Sequence, residues 1–167
     1  MRRMLIFIVT LFALTHPSRA QINSDRIGMG LDAFYRPAAE AYLFWEHEMS
    51  YHNAWEVFAA GTLKIGGDLS GLWNNYKFWG VGAAWKPCIW RARNRFGSAR
   101  IGASLGAAPL DFLAGIHAGY QHSYALHGGW QFYWRAGIDV MLPKRNDLFR
   151  AGAGIGIKMP LPDRRIR

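Results

Sequence analysis

The sequence predicts an all-β fold, a closed eight-stranded antiparallel up-and-down β-barrel, and three observations point to it. Apolar and polar residues alternate through eight stretches, which is the two-residue period of a strand. The composition is 51% hydrophobic and 15% aromatic, with 19 glycines. No stretch after the N-terminal apolar run is long and uncharged enough for a membrane-spanning helix. Closure removes exposed edge strands, so eight such stretches favour a barrel over an open sheet.

Residues 1–20 have the layout of a cleaved secretory signal peptide. Arg2 and Arg3 precede an apolar run at residues 4–14, and small residues flank a predicted cut after Ala20. The run is shorter than the roughly 20 residues of a spanning helix, although an N-terminal membrane anchor remains the alternative. The sequence therefore predicts export, with a barrel at residues 21–162 and a basic tail at residues 163–167.

The exported chain would be basic, because cleavage removes three arginines and no acids. It would keep 17 basic and 11 acidic residues, a net charge of +6. Such a charge suits anionic lipid headgroups or nucleic acid. The basic stretches at residues 91–95 and 163–167 have the character of a solvated loop and a tail, so no specific nucleic-acid binding is expected. The lone Cys88 cannot form an internal disulfide and is interpreted as a loop thiol without a special role.

The first four predicted strands lie at residues 26–35, 39–49, 54–64 and 76–86. Their alternation is clear in the second strand, where Leu43 and Trp45 oppose Tyr42, Glu46 and Glu48. The last four are predicted at residues 99–106, 112–122, 129–141 and 148–159. Turn residues mark most of the breaks. We expect partner contacts in the long loops at residues 65–75 and 87–97.

The two faces of these strands differ in a way that favours lipid outside the barrel. In the seventh strand one face carries Trp130, Phe132, Trp134, Ala136, Ile138 and Val140. The opposite faces are rich in glycine and carry the charges, which suits a narrow interior. Strands of about ten residues can cross a bilayer when tilted. The sequence therefore predicts a transmembrane barrel in a bacterial outer membrane, in contact with its lipid. The alternative is a soluble, periplasmic, lipocalin-like barrel for an apolar ligand, which would instead place its apolar face inside.

Charges of both signs share the inward faces. They are Asp32, Glu46, Glu56, Arg100, Arg135, Asp139, Arg150 and Lys158. Closure brings the last strand beside the first, so bases and acids would meet in the lumen. We therefore expect an ion-pair network centred on Arg135 that plugs the lumen, and no wide water-filled pore.

No residue set points to a metal or a cofactor. The histidines of the exported chain lack the cysteines or carboxylates that would complete a zinc site, and are interpreted as loop or rim residues. They are His47, His52, His117, His122 and His127. The spaced glycines at residues 152–156 lie in a predicted strand without a following helix, so they do not form a dinucleotide-binding loop.

An enzymatic alternative is an outer-membrane lipid A acylhydrolase that uses serine, histidine and a carboxylate. His122 and Ser123 are adjacent, so in a strand their side chains point to opposite faces. Ser104 and His117, on neighbouring strands, are better placed as nucleophile and base, with Glu56 to orient the base. No motif fixes these roles, so the sequence favours a barrel without catalytic activity.

Part of the chain resembles a known family. Residues 76–97, 101–106, 111–115, 132–135 and 153–158 resemble the conjugal transfer protein TraO of Bacteroidota conjugative transposons. The resemblance extends over residues 55–160 and is one of pattern, much of it shared by other small OmpA-like outer-membrane barrels. It implies a role in a conjugative transfer apparatus, with other proteins of that apparatus as partners, and no catalysis.

Overall fold

The computed structural model describes residues 24–35, 38–64, 76–108, 111–142 and 149–162. The predicted signal peptide, the predicted loop at residues 65–75 and the predicted basic tail lie outside these residues. The described strands are β1 (Ser24–Phe34), β2 (Ala38–Glu48), β3 (Ala54–Lys64), β4 (Tyr76–Lys86), β5 (Cys88–Ala92), β6 (Arg95–Ala108), β7 (Asp111–Ala125), β8 (Gln131–Leu142) and β9 (Phe149–Pro160).

The strands form one closed antiparallel barrel. Their order is β4-β3-β2-β1-β9-β8-β7-β6, and β4 pairs with β6 to close the ring. The first and last strands are neighbours, with Leu31 opposite Ile155. The ring closes between Trp85 of β4 and Ile101 of β6. The short β5 pairs with β6 alone. Eight strands therefore form the wall of the barrel, which confirms the predicted fold.

The prediction of a loop at residues 87–97 is wrong, because most of these residues lie in strands. β4 ends at Lys86, and β5 then turns back through Arg93 and Asn94 onto the start of β6. Pro87, which has no backbone N–H to donate, separates β4 from β5. The pairing of β5 also shifts register between Cys88 and Trp90. This irregularity interrupts the two-residue alternation that identifies a strand in a sequence.

The barrel has two different ends. At the terminal end lie the start of β1, the end of β9, the turn between β2 and β3, the β5–β6 hairpin and the turn between β7 and β8. At the opposite end, the loop end, β1, β3, β6 and β8 finish and β2, β4, β7 and β9 begin. The turn between β2 and β3 is tight, with Met49 N donating to Asn53 O at 2.7 Å. Tyr51 and His52 both have positive φ there, an arrangement uncommon for residues other than glycine.

Apolar side chains face outward and polar side chains face inward. The most exposed apolar strand residues include Met29, Leu31, Leu43, Trp79, Val81, Ile101, Phe112, Ile116 and Ile155. The buried residues include five carboxylates, Asp32, Glu40, Glu46, Glu48 and Glu56, but few large aliphatic side chains. Within the described residues, no helix is long and apolar enough to cross a membrane.

Glycine is required where rings fill the narrow lumen. A Cβ at Gly82 would lie 2.5 Å from Cζ of Phe58 and 2.5 Å from the carbonyl oxygen of Ala103. A Cβ at Gly61, by contrast, would meet no described atom within 4 Å. The glycines of the inward faces therefore give space to aromatic rings from other strands.

Candidate functional site

The inward residues of β2 show how the lumen is organised. From the loop end to the terminal end they are Ala38, Glu40, Tyr42, Phe44, Glu46 and Glu48, all buried. Other strands add residues of the same character at each level. The lumen is therefore filled by three layers, in which a layer of aromatic rings lies between two groups of charged side chains.

The first group, the terminal cluster, consists of Glu46, Glu56, Lys86, Arg100 and Lys158. Lys158 Nζ donates to both carboxylate oxygens of Glu46, at 2.7 and 2.8 Å. Lys86 also donates to Glu46 and reaches Glu56 at 2.8 Å. Arg100 Nη2 donates to Glu56 at 2.9 Å. Each carboxylate therefore has two cationic partners.

Water has almost no access to this cluster. The side chains of Glu46, Glu56, Lys86 and Lys158 are between 0% and 2% exposed. Desolvation of a charge is costly unless partners compensate for it, and here hydrogen bonds supply that compensation. Gln121 adds a further contact, because Lys86 Nζ lies 3.3 Å from its side-chain oxygen.

A lid covers the terminal cluster at the terminal end. The ring of His52 stacks on the buried Phe96, with 4.4 Å between centroids and 5° between planes. Glu48 pairs with both Arg26 and His52. These contacts close the terminal end of the lumen over Lys158, whose Nζ lies 6.0 Å from the Phe96 ring.

The aromatic layer consists of Tyr42, Phe44, Phe58 and Tyr133, which belong to one buried apolar cluster. The hydroxyls of Tyr42 and Tyr133 are hydrogen bonded to each other. Cations from both charge groups contact the layer. Arg135 lies 3.6 Å from the Tyr42 centroid, and Lys158 lies 5.6 Å from that of Tyr133. The layer therefore separates the charge groups and also contacts both of them.

The second group, the loop-end cluster, consists of Asp32, Glu40, Arg135, Asp139 and Arg150. Arg135 Nε donates to the carboxylate oxygens of Asp32 at 2.8 and 3.0 Å. Arg150 Nη2 donates to Asp139 at 3.0 Å and lies 3.5 Å from Glu40. Thr62 adds a hydroxyl that donates to Glu40 at 2.8 Å.

The loop-end cluster is less completely paired than the terminal cluster. Arg135 Nη1 and Arg150 Nε have no hydrogen-bond partner among the described residues. A cavity of about 40 Å³ lies beside Arg135 and is also lined by Asp32, Glu40, Phe58, Arg100, His117 and Asp139, among others. Such a polar cavity is large enough for water.

Three residues on the lumen wall form a hydrogen-bonded chain. Ser104 Oγ lies 2.7 Å from His117 Nε2, and His117 Nδ1 lies 2.7 Å from Asp139 Oδ1. This is the connectivity of a serine hydrolase triad. The expected role of Glu56 in orienting His117 is wrong, because Asp139 holds the imidazole and Glu56 binds Lys86 and Arg100.

The surroundings of Ser104 differ from those of a hydrolase nucleophile. Ser104 is 3% exposed. Its strand pairs on both sides, with Gly82 of β4 and Gly115 of β7, so the nearby backbone N–H groups belong to the sheet. An oxyanion hole usually needs free N–H groups that point at the reacting oxygen.

All eight charged residues expected inside the barrel have inward positions. Three of them, Arg135, Asp139 and Arg150, join Asp32 in the loop-end cluster, and the other four lie in the terminal cluster. Arg135 thus lies within one of two groups, and among the described residues no ion pair joins it to the terminal cluster. Sequence reasoning missed Lys86 and Glu40. Both lie at inward-facing alternate positions of their strands, and this alternation could have identified them as lumen residues.

The remaining histidines and Cys88 do not form a metal site. The described residues contain no group of three or more histidine, cysteine or acidic side chains that could hold a metal ion. His47 pairs with Asp25, and His122 faces outward among aromatic rings. Cys88 lies in β5 and is not a loop residue as predicted. Partial burial raises the pKa of its thiol, which disfavours the reactive thiolate.

Comparisons with known proteins support the barrel at the level of fold. No family model matches the sequence, and no curated protein matches it. The structure is similar to that of the Yersinia pestis outer membrane protein Ail in a phospholipid bilayer nanodisc, with a TM-score of 0.56 and 12% identity over 84% of this chain and 100% of that chain. It is also similar to a de novo designed transmembrane β-barrel, with a TM-score of 0.53 and 10% identity over 86% of this chain and 100% of that chain. The fold therefore resembles those of small outer-membrane β-barrels.

Proposed function

We propose that this protein is an exported outer-membrane β-barrel that acts as a non-conducting scaffold. The observation that carries the proposal is the opposition of its two faces. The outside is an apolar surface, whereas the inside is filled with paired charges and rings. A bilayer can solvate the apolar outer surface, and the filled lumen leaves no wide path for solutes.

The soluble alternative, a periplasmic barrel for an apolar ligand, fits this distribution less well. Leu31 and Phe112 are 63% and 65% exposed, and they belong to an apolar surface that extends around the barrel. Soluble monomers rarely expose large contiguous apolar surfaces. An apolar ligand would also need an apolar lumen, whereas this lumen contains two charge clusters.

Cell fractionation and gel migration test the membrane proposal. We expect the protein in the outer membrane, with a heat-dependent shift in mobility because a closed barrel resists detergent until it is boiled. Reconstituted in planar bilayers, it should give no steady conductance steps. Release into the soluble periplasm would overturn the membrane proposal, and stable open channels would overturn the non-conducting part.

The narrower role that we propose is that of a structural component of a conjugative transfer apparatus. The resemblance of residues 55–160 to TraO proteins supports it, as does a lumen suited to structural support and not to transport. Partners would contact the connection at residues 65–75 and the β5–β6 hairpin. Deletion of the gene in its host should abolish transfer of a conjugative element, and the intact gene should restore it. Undiminished transfer would contradict this role.

Acyl hydrolysis is the second candidate function, and the chain from Ser104 through His117 to Asp139 favours it. His117 would take the hydroxyl proton of Ser104 as that oxygen attacks an ester carbonyl, and would give it to the departing alcohol, leaving an acyl-serine that water hydrolyses. The chain faces the lumen, so a substrate would have to enter from the loop end. Covalent labelling by a fluorophosphonate, lost in Ser104→Ala, would support this candidate. An unlabelled wild-type protein that shows the heat-dependent gel shift would eliminate it.

A further inference from the structure

A group of outward-facing rings lies on the wall next to the β5–β6 hairpin. This outer aromatic cluster consists of Trp90, Tyr120, His122, Tyr124, Phe132 and Trp134. The imidazole of His122 stacks with Trp90 at 5.3 Å and with Trp134 at 5.6 Å between centroids. Tyr120 donates to or accepts from His122 Nδ1 at 2.8 Å. None of these rings belongs to the lumen described above.

Three arginines project beside the outer aromatic cluster. Arg91, Arg93 and Arg95 lie at the tip of the hairpin, and all three are exposed. The guanidinium of Arg95 lies 5.6 Å from the Trp90 ring centroid. None of the three forms an ion pair within the part of the chain that the structure describes. The cations of the two lumen clusters, by contrast, form ion pairs with carboxylates.

The hairpin places these arginines beyond the closed part of the barrel. Pairing between β4 and β6 ends at Trp85 and Ile101, whereas β6 begins six residues earlier at Arg95. Six residues correspond to about 20 Å along a tilted strand. Aromatic rings prefer the boundary of a bilayer, and arginine side chains reach from there into the headgroup region. Along the hairpin the rings come first and the arginines lie nearer the tip, as expected if the rings lie at the boundary of the bilayer and the arginines in the headgroup region.

We propose that the hairpin arginines and the outer aromatic cluster form a binding site for the phosphate of an anionic glycerophospholipid in the leaflet at the terminal end. Guanidinium groups bind phosphate through paired hydrogen bonds, and the rings pack against the glycerol region. Charge complementarity selects this occupant, because three exposed cations without an ion pair among the described residues lie at the tip of the hairpin that carries Trp90. The inference rests on the proposed membrane location and adds to it a selectivity among lipids.

Tryptophan quenching by brominated lipids tests the site. The full protein is reconstituted into phosphatidylcholine vesicles that contain a minority of brominated phosphatidylglycerol, and quenching is compared with that by brominated phosphatidylcholine. Subtracting the signal of Trp90→Phe isolates the fluorescence of Trp90. We expect an enrichment of the anionic lipid around Trp90 of about fivefold for each arginine that engages a headgroup.

Two double variants of equal charge change give the comparison. Arg91→Gln with Arg93→Gln should lower the enrichment of the anionic lipid near Trp90 to at most about the fivefold that Arg95 alone supports. Lys144→Gln with Arg145→Gln, which lie in the sequence between β8 and β9, should leave the enrichment intact. Equal quenching by the two brominated lipids in wild type, or an enrichment in the hairpin variant as large as in wild type, would overturn the proposal.

The heat-dependent gel shift is recorded for every sample. A protein that fails to insert shows no shift, which contradicts the membrane proposal. A protein that inserts and shows no lipid preference contradicts the lipid site and leaves the membrane proposal standing.

Discussion

The two charge clusters of the lumen are made from the same kinds of groups but differ in completeness. The terminal cluster is almost inaccessible to water, and both of its carboxylates have two cationic partners. The loop-end cluster has two guanidinium nitrogens without a described partner, and a cavity beside it. The terminal cluster, which is fully paired, serves to hold strands together. The loop-end cluster can in addition exchange hydrogen bonds with water or with a small polar molecule.

This difference matters for how the barrel resists substitution. Removing one member of a fully buried ion pair leaves a charge that nothing solvates. Removing a member of a cluster that adjoins a cavity leaves a charge that water can reach. The same chemical change should therefore cost more at the terminal end of the lumen than at the loop end.

The largest effect is expected for Glu46→Gln. The change removes the only carboxylate that Lys158 contacts among the described residues and one of the two that Lys86 contacts. We expect the free energy of unfolding to fall by about 3–5 kcal/mol, as for other broken buried ion pairs. Urea titration in phospholipid vesicles, followed by tryptophan fluorescence, measures it. A loss smaller than that of the loop-end variant below would reverse the comparison.

Arg135→Ala should cost less. It removes the charged hydrogen bonds to Asp32 and the contact with the Tyr42 ring. We expect a loss of about 2–3 kcal/mol, the range for charged hydrogen bonds, because the cavity lets water approach the remaining carboxylates. The same urea titration applies. An unchanged free energy of unfolding would mean that the loop-end cluster contributes nothing to stability.

A pair of glycine substitutions tests the layer between the clusters. Gly82→Ala forces a methyl group against Phe58 and the backbone of Ala103, so we expect a loss of about 1–3 kcal/mol from overpacking. Gly61→Ala adds the same methyl group in open space and serves as the matched control, neutral or slightly stabilising. Equal effects of the two changes in the unfolding titration would show that the rings do not fill the lumen tightly.

The smallest effect is expected at the rim. Asp25→Asn breaks the pair with His47, in which the two side chains are 46% and 30% exposed. Exposed pairs contribute about 0–1 kcal/mol, and salt screens them. The variant should therefore unfold within that range of the wild-type protein. A loss as large as that of Glu46→Gln would mean that exposure does not govern these pairs.

The sequence predicted the closed barrel and its two faces because alternation depends only on residues within one strand. Inward parity likewise placed Glu46, Arg135 and Lys158 in the lumen. Partner choice depends on register and barrel shear, which no single strand reveals, so two separate clusters and the Asp139–His117 contact emerged only from the structure. The β5–β6 hairpin was missed for a different reason, since a proline and a register shift interrupt its period.

The separation of ion-pair partners along the chain sets the order in which the barrel can assemble. Lys158 and Glu46 are 112 residues apart, Arg150 and Glu40 are 110 apart, and Arg135 and Asp32 are 103 apart. None of these pairs can form within a hairpin, so each waits until β8 and β9 reach β1 and β2. Until then the charges can stay hydrated, and the nascent sheet has no dry interior. Dehydration of the lumen and closure of the ring should thus coincide, in a late step that depends on contacts distant in sequence and is therefore slow.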